Sequence, residues 1–289
     1  MVMDFSDSPY VSINHVGMIE DIIRKDRESP TLKISTASPK SLATDHLFEV
    51  SPDSPSLTEK AQTHLHSILA SFNYVGGRAR PDLITFLSAG LKRVLAPTEE
   101  DERKAARFVG YFESTRDLTL RLRCYLPPKV STFIDASFAV HPNMRSHSGV
   151  CVTLGVGVFY SKSTAQKLNT TSSCHSEAVA LAKCLQQSLW SQYLIEGQGY
   201  PATPITVFQD NQSTIKLMEN GRPTSELTRH IRIGYFWVHD LIIKKIIKLV
   251  YCPTEFMIAD IITKPLQGAL FRTMRDRIMG AVPCPMVEG

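Results

Sequence analysis

The 289-residue chain carries six cysteines, at positions 124, 151, 174, 184, 252 and 284, and none of them falls in a C-x-x-C pair or in a Cys/His cluster with metal spacing. That absence excludes a zinc head and a dithiol redox motif, and it leaves no disulfide framework to read. Most of these thiols lie in stretches expected to be core, which suits reduced cysteines in an intracellular protein. No apolar run reaches the length of a membrane span, and the N-terminus lacks the charged-then-apolar pattern of a secretory signal. A soluble protein of the cytoplasm or nucleus, with no membrane partner, is the expectation. Charge of one sign is also scarce: the net value of +4 is weaker than the strong positive field of a dedicated nucleic-acid binder. The hydrophobic content of 43% is ample for cores, and the length fits two domains.

Four acids in the second half of the chain each sit in an apolar stretch. Asp135 lies in a run from Ser131 to Val140 whose alternation of Ile134, Ala136 and Phe138 against Phe133 and Asp135 predicts a strand. An ionised carboxylate withdrawn from water there needs a counter-charge or a metal. Glu177 opens a helix-forming run without Gly or Pro, and spacing of three and four places it on the face of Leu181, Cys184, Leu185 and Ser188. A first-turn Glu can also simply answer the helix dipole. Asp210 ends the apolar strand 204–209 and precedes a helix. It fits an N-cap, and it equally fits a ligand at a strand C-terminus. Asp260 follows Phe256 and Met257 on a short helix entered through Pro253 and Thr254. Pairing with Lys264, one turn on, suits it as well as metal binding does.

From residue 131 the pattern predicts strand, strand (148–154), strand (156–162), helix (173–195), strand (204–209), helix, helix (225–243), strand (246–252) and helix. That order describes an α/β fold with a mixed five-stranded sheet flanked by helices. It brings the first strand, the first helix, the fourth strand and the last helix to one edge, and with them all four acids. Oxygen-only ligands suit Mg²⁺ or Mn²⁺ over zinc or copper, and two such ions support phosphodiester hydrolysis.

Several segments carry a resemblance: 133–139, 171–182 with Ser176-Glu177-Ala178, 206–215 with Gln209-Asp210-Asn211-Gln212-Ser213, Thr228-Arg229-His230-Ile231, and above all Tyr251 to Leu266 with Ala259-Asp260-Ile261-Ile262-Thr263-Lys264-Pro265. They resemble the ribonuclease H domain of Ty1/copia-type retrotransposon polyproteins. Upstream, Val11 to Ile23, Arg80-Pro81-Asp82 and the run from Pro97 to Thr115 are similar to the C-terminal part of the reverse transcriptase of that family. The resemblance implies a ribonuclease H-like fold in which Asp135, Glu177, Asp210 and Asp260 hold two Mg²⁺ (or Mn²⁺) ions and the RNA strand of an RNA/DNA hybrid is cut. It also implies that the rest of a reverse transcriptase polyprotein is a partner. The family's polymerase site is a Tyr-x-Asp-Asp turn, and this sequence contains no Asp-Asp pair, so no polymerase activity is expected. Ser137, Val179 and Arg232 stand where the family carries acids. His230 is an accessory candidate, and it fits a surface or capping group as well.

The domain reading follows. Residues 1–124 are expected to be a remnant of the reverse transcriptase C-terminal region, small and mainly helical, with helices near 57–73, 81–95 and 98–114. Residues 26–56, rich in Ser, Pro, Thr and charge, read as a flexible connection. Residues 125–130 form a linker, 131–280 the ribonuclease H-like domain and 281–289 a tail. Instability of 1–124 by itself is expected if a bundle built to pack on a polymerase is cut away. Local positive charge marks candidate phosphate contacts at Lys162, Lys167, Arg229, Arg232 and Lys244, each of which also fits a solvated face. Recognition of a hybrid would then rest on shape and 2′-hydroxyls, and would weaken with salt.

Two other readings remain at the level of sequence. An integrase or transposase shares this type of chemistry, but its acids run Asp, Asp, Glu with a His-His-Cys-Cys zinc head, whereas here the single Glu comes second and no such head exists. A non-catalytic remnant that binds nucleic acid or protein fits the substitutions at 137, 179 and 232.

Overall fold

The computed structural model describes residues 1–28, 46–49, 51–221 and 229–287, without the side chains of residues 229–232. The N-terminal part begins with the short strands β1 (Val2–Asp4) and β2 (Val11–Asn14), followed by helix α1 (Val16–Glu28). Neither strand nor this helix belonged to the three-helix expectation, because strands of three and four residues leave almost no periodicity to read. Helices α2 (Glu59–Ala79), α3 (Ile84–Leu91) and α4 (Glu99–Ser114) match the three expected ones, with α3 shortened by a 3₁₀ turn over Pro81–Leu83. The Pro97-Thr98 start of α4 is a capping box: the Thr98 backbone N–H donates to Asp101 Oδ2 at 2.8 Å. Most of the connection expected over 26–56 lies outside the described residues.

Strand β3 (Leu120–Cys124) closes on β2, and its other edge takes the two-residue strand β6 (Gly155–Val156), giving an antiparallel sheet in the order β1-β2-β3-β6. The single strand expected over 156–162 is therefore split. Gly157 has φ +70°, and a Cβ there would run into the Arg121 carbonyl, so the chain turns at this point. It resumes as β7 (Tyr160–Ala165) in the second sheet.

That second sheet has the order β7-β5-β4-β8-β9, built from β4 (Ser131–Ser137), β5 (His147–Thr153), β7, β8 (Ile205–Gln209) and β9 (Ile247–Tyr251). β4 pairs antiparallel with β5 and parallel with β8, so the sheet is mixed, and every residue of the central strand β4 is buried. On one face Ile134, Val150 and Val207 pack against Leu181 and Leu185 of helix α5 (Ser173–Gly197) and Tyr235 and Val238 of helix α7 (Arg229–Ile243). Helix α6 (Gln212–Asn220) follows β8. On the other face Phe133, Cys151 and Phe208 join one core with Met257, Ile258, Phe271 and Met274, the last two from helix α8 (Gly268–Ile278), and with Phe72, Phe86 and Phe108 of the N-terminal helices. This mixed five-stranded sheet with helices on both faces is the α/β arrangement expected from the order of elements. The shared core crosses the stretch 125–130, and a buried hydrogen bond from Thr85 Oγ1 to the Ile261 carbonyl, 2.7 Å long, joins α3 to the segment that carries Asp260.

Candidate metal centre

Asp135 is the fifth residue of β4 and sits on the face of Phe133, because successive side chains of a strand alternate. Glu177 is buried in the first turns of α5, which Ser172 caps by accepting from the His175 N–H at 3.2 Å. One oxygen of Glu177 accepts from the Ala136 N–H at 3.1 Å, and the other from Gln209 Nε2 at 3.2 Å. Both bonds fix the carboxylate against the ends of β4 and β8. The cap of α6 is Asn211, whose Oδ1 accepts from the Thr214 N–H at 3.1 Å. The N-cap role that fitted Asp210 thus belongs to its neighbour, which leaves the Asp210 carboxylate free of that duty. One oxygen from each of Asp135, Glu177 and Asp210 lies within 4.8 Å of the others.

Asp260 is held differently. The segment expected as a short helix consists of two 3₁₀ turns, Thr254–Phe256 and Ile258–Ile262, and Asp260 is buried in the second. Its Oδ1 accepts from Lys264 Nζ at 2.6 Å, and the same ammonium lies 3.5 Å from Asp135 Oδ2. The structure therefore gathers three of the four acids around one point and attaches the fourth through a lysine. Thr263 Oγ1 also donates to Asp135 Oδ2, and Ser137 Oγ donates to the Thr263 carbonyl at 3.1 Å.

The electrostatics follow from this crowding. Burial, and then the charges of Asp135 and Asp210, push the Glu177 carboxyl well above the usual range. Burial and Asp135 raise Asp210 as well, with Lys264 opposing. Asp260 is pushed up to about 7 by burial and by Asp135, against the pull of Lys264. Lys264 is itself raised, because the pull of Asp135 and Asp260 outweighs its burial. A cluster of acids that resists ionising, with Lys264 its one ion-paired cation among the described residues, is short of positive charge. A hard, oxygen-seeking divalent cation fits that deficit.

Among the expected phosphate contacts, Lys162 and Lys167 are exposed on and just after β7. Lys183 of α5 shares their neighbourhood: burial depresses its pKa, Cys184 opposes, and Lys167 adds a smaller lowering. It makes a third cation there that the linear pattern did not flag. Lys244 is exposed and paired with Asp240 at 2.7 Å. The side chains of Arg229, His230 and Arg232 lie outside the described residues. Sequence reasoning also missed Gln209, Thr263 and the second contact of Lys264. The only signal for the lysine was its spacing of four from Asp260.

No family model matches the chain. Over 225 residues it is 24% identical to the Gag-Pol polyprotein of transposon Ty1-JR2 of Saccharomyces cerevisiae, a stretch covering 75% of this chain and 13% of that relative, and it matches the Ty1-MR1 polyprotein of the same yeast equally. The chain is homologous to these Ty1 Gag-Pol polyproteins and spans only a small part of their length. Among solved structures, LC11-RNase H1 isolated from compost is 16% identical with a TM-score of 0.35, covering 46% of this chain and 91% of that one. A foamy viral protease-reverse transcriptase in complex with RNA/DNA hybrid is 15% identical with a TM-score of 0.44, covering 73% of this chain and 26% of that one.

Proposed function

We propose that the chain is a metal-dependent ribonuclease of a copia-type retrotransposon polyprotein, which hydrolyses the RNA strand of an RNA/DNA hybrid. The convergence of Asp135, Glu177 and Asp210, three buried or half-buried carboxylates from different elements, is the observation that carries this reading. These acids would hold Mg²⁺ or Mn²⁺, with Asp260 completing the set for a second ion. Such ions, when bound, supply the Lewis acidity that phosphodiester hydrolysis requires. The chain's own contribution is preorganisation. Ala136 N–H and Gln209 Nε2 hold Glu177 in one orientation, Thr263 and Lys264 hold Asp135, and the burial of Asp135 and Glu177 keeps these carboxylates from relaxing into water. Lys162, Lys167 and Lys244, with Arg229 and Arg232, would meet backbone phosphates and make binding fall with salt.

The homology to Ty1 polyproteins supports the same reading, and the rest of such a polyprotein would be the chain's partner. The test is direct. Purified protein with Mg²⁺ is expected to cut the RNA of a labelled hybrid and to spare duplex DNA, and Asp210→Asn is expected to abolish cutting without unfolding the protein. Hybrid binding with no Mg²⁺- or Mn²⁺-dependent cleavage would instead identify a non-catalytic nucleic-acid-binding remnant.

A further inference from the structure

Asp135 belongs to two groupings. With Glu177 and Asp210 it forms the carboxylate trio, and through Oδ2 it meets Thr263 Oγ1 and the Lys264 ammonium. The same ammonium makes its shorter contact, 2.6 Å, with Asp260 Oδ1. The half of the centre between Asp135 and Asp260 thus already contains a positive charge, whereas among the described residues no cation is hydrogen-bonded or ion-paired to Glu177 or Asp210. Glu177 answers only to neutral donors, the Ala136 N–H and Gln209 Nε2.

From this asymmetry we infer that Lys264 is a built-in counter-ion that a second divalent cation has to displace, so that the two ions bind in order and with unequal affinity. This deepens the two-metal reading and rests on it. The chemistry of the side chain suits such a part. An ammonium on a four-carbon stem is a compact point charge that can swing without backbone movement, and Lys264 is 35% exposed, with open solvent to swing into. While Nζ stays between Asp135 and Asp260 it repels any cation arriving there. A displaced Nζ leaves both carboxylates free to take the ion. Among the described residues the trio carries no such tenant, so it fills first. The coupling is reciprocal: whatever Lys264 costs the second ion, that ion costs the Lys264 pairing.

The consequence is a threshold. At low divalent concentration the centre holds one ion and the lysine, and only a higher concentration assembles the pair of ions. Lys264 then acts as a positioning residue that sets how much metal the enzyme needs.

The experiment is Mn²⁺ titration of the full chain without nucleic acid, following free Mn²⁺ by electron paramagnetic resonance, with melting curves to establish that each variant is folded. The parent is expected to bind one Mn²⁺ tightly and a second much more weakly. Lys264→Met is expected to strengthen the second step by on the order of ten- to a hundredfold and to leave the first within a few-fold, as coupling energies of this kind allow. Lys264→Arg, which keeps the charge, is expected to retain the weak second step. A second step that is unchanged or weaker in Lys264→Met would overturn the inference. Asp210→Asn separates failure of this inference from failure of the metal reading. If it leaves the first step intact, or if the parent binds no Mn²⁺ at all, the metal reading itself fails and takes this inference with it.

Discussion

Gly149 is the position at which the fold and the candidate site depend on a single missing methyl group. It lies opposite Asp135 in the β4–β5 ladder, beneath the 3₁₀ segment that carries Asp260 and Thr263. A Cβ at this position would meet Thr263 Cγ2 at 2.5 Å and Ile262 Cγ1 at 2.8 Å, where ordinary contact begins at 3.4 Å. In Gly149→Ala the segment therefore has to retreat from the sheet by roughly 0.9 Å, or β5 has to sink by as much. Overpacking of this size costs about 1–3 kcal/mol, which lowers the melting temperature by about 2–4 °C per kcal/mol in a chain of roughly this length. The larger effect falls on the site. Thr263 is the residue that donates to Asp135 Oδ2, and Lys264 follows it, so the same retreat pulls both away from the central carboxylate. Displacement of about 1 Å at a reacting centre costs on the order of 100-fold in rate. Urea unfolding and hybrid-cleavage rates measure the two effects separately. The double variant Gly149→Ala/Thr263→Ser removes the closest contact, Cγ2, and keeps the donor Oγ1, so it is expected to recover part of both losses. If Gly149→Ala cuts hybrid at the parent rate with an unchanged urea midpoint, the placement of Asp260 and Thr263 against β5 is wrong.

The remaining expectations test other parts of the molecule. Thr85→Val removes the donor to the buried Ile261 carbonyl and is expected to cost about 1–3 kcal/mol in urea unfolding, as an orphaned buried acceptor does; an effect within measurement error would mean that the bond does not tie α3 to the site segment. A fragment starting at residue 125 loses the N-terminal helices that share one continuous core with Met257, Phe271 and Met274, and is expected to bind a hydrophobic dye and to melt well below the full chain; equal melting would show that 131–280 folds by itself. His141 lines a cleft with Lys92 and Arg145, and its Nε2 lies 2.9 Å from His147 Nδ1. Burial, then Lys92 and Arg145, push its pKa down to about 4 from the ordinary 6.5. Between those values the unfolded chain binds the proton and the folded chain refuses it, so stability is held above 6.5 and lost as the pH falls through about 4. His141→Asn is expected to flatten that part of the stability–pH curve, and a curve parallel to the parent's would count against a half-buried neutral imidazole.

Much of the architecture could be read in advance, and the reasons are local. β4 announces itself by an alternating apolar run around Asp135, β8 by an apolar run that leads into Asp210, α5 by 15 residues without Gly or Pro from Ser176 to Trp190, and α4 by Pro97-Thr98 and its acidic first turn. Where reading failed, the element was too short to show a period or was interrupted by a backbone requirement. β1 and β2 have three and four residues, and the run 156–162 is broken by Gly157. The antiparallel sheet was missed altogether, because its partners β2, β3 and β6 come from distant parts of the chain and their pairing is a matter of tertiary contact.

The candidate centre divides in the same way. The identities and order of Asp135, Glu177, Asp210 and Asp260, each in an apolar context, are properties of the sequence, because period and hydropathy place each acid on a buried face without any knowledge of its neighbours. Which of them share a point is not. Asn211 and not Asp210 caps α6, since a cap is decided by backbone angles at one residue. Asp260 is bound by Lys264, and that lysine also reaches Asp135, on a strand far back along the chain, across a gap of 3.5 Å. Contacts of that kind depend on how strand, turn and helix pack around one another. The sequence alone therefore determined which acids were available, and the tertiary structure decided that three stand together and the fourth is held by a cation.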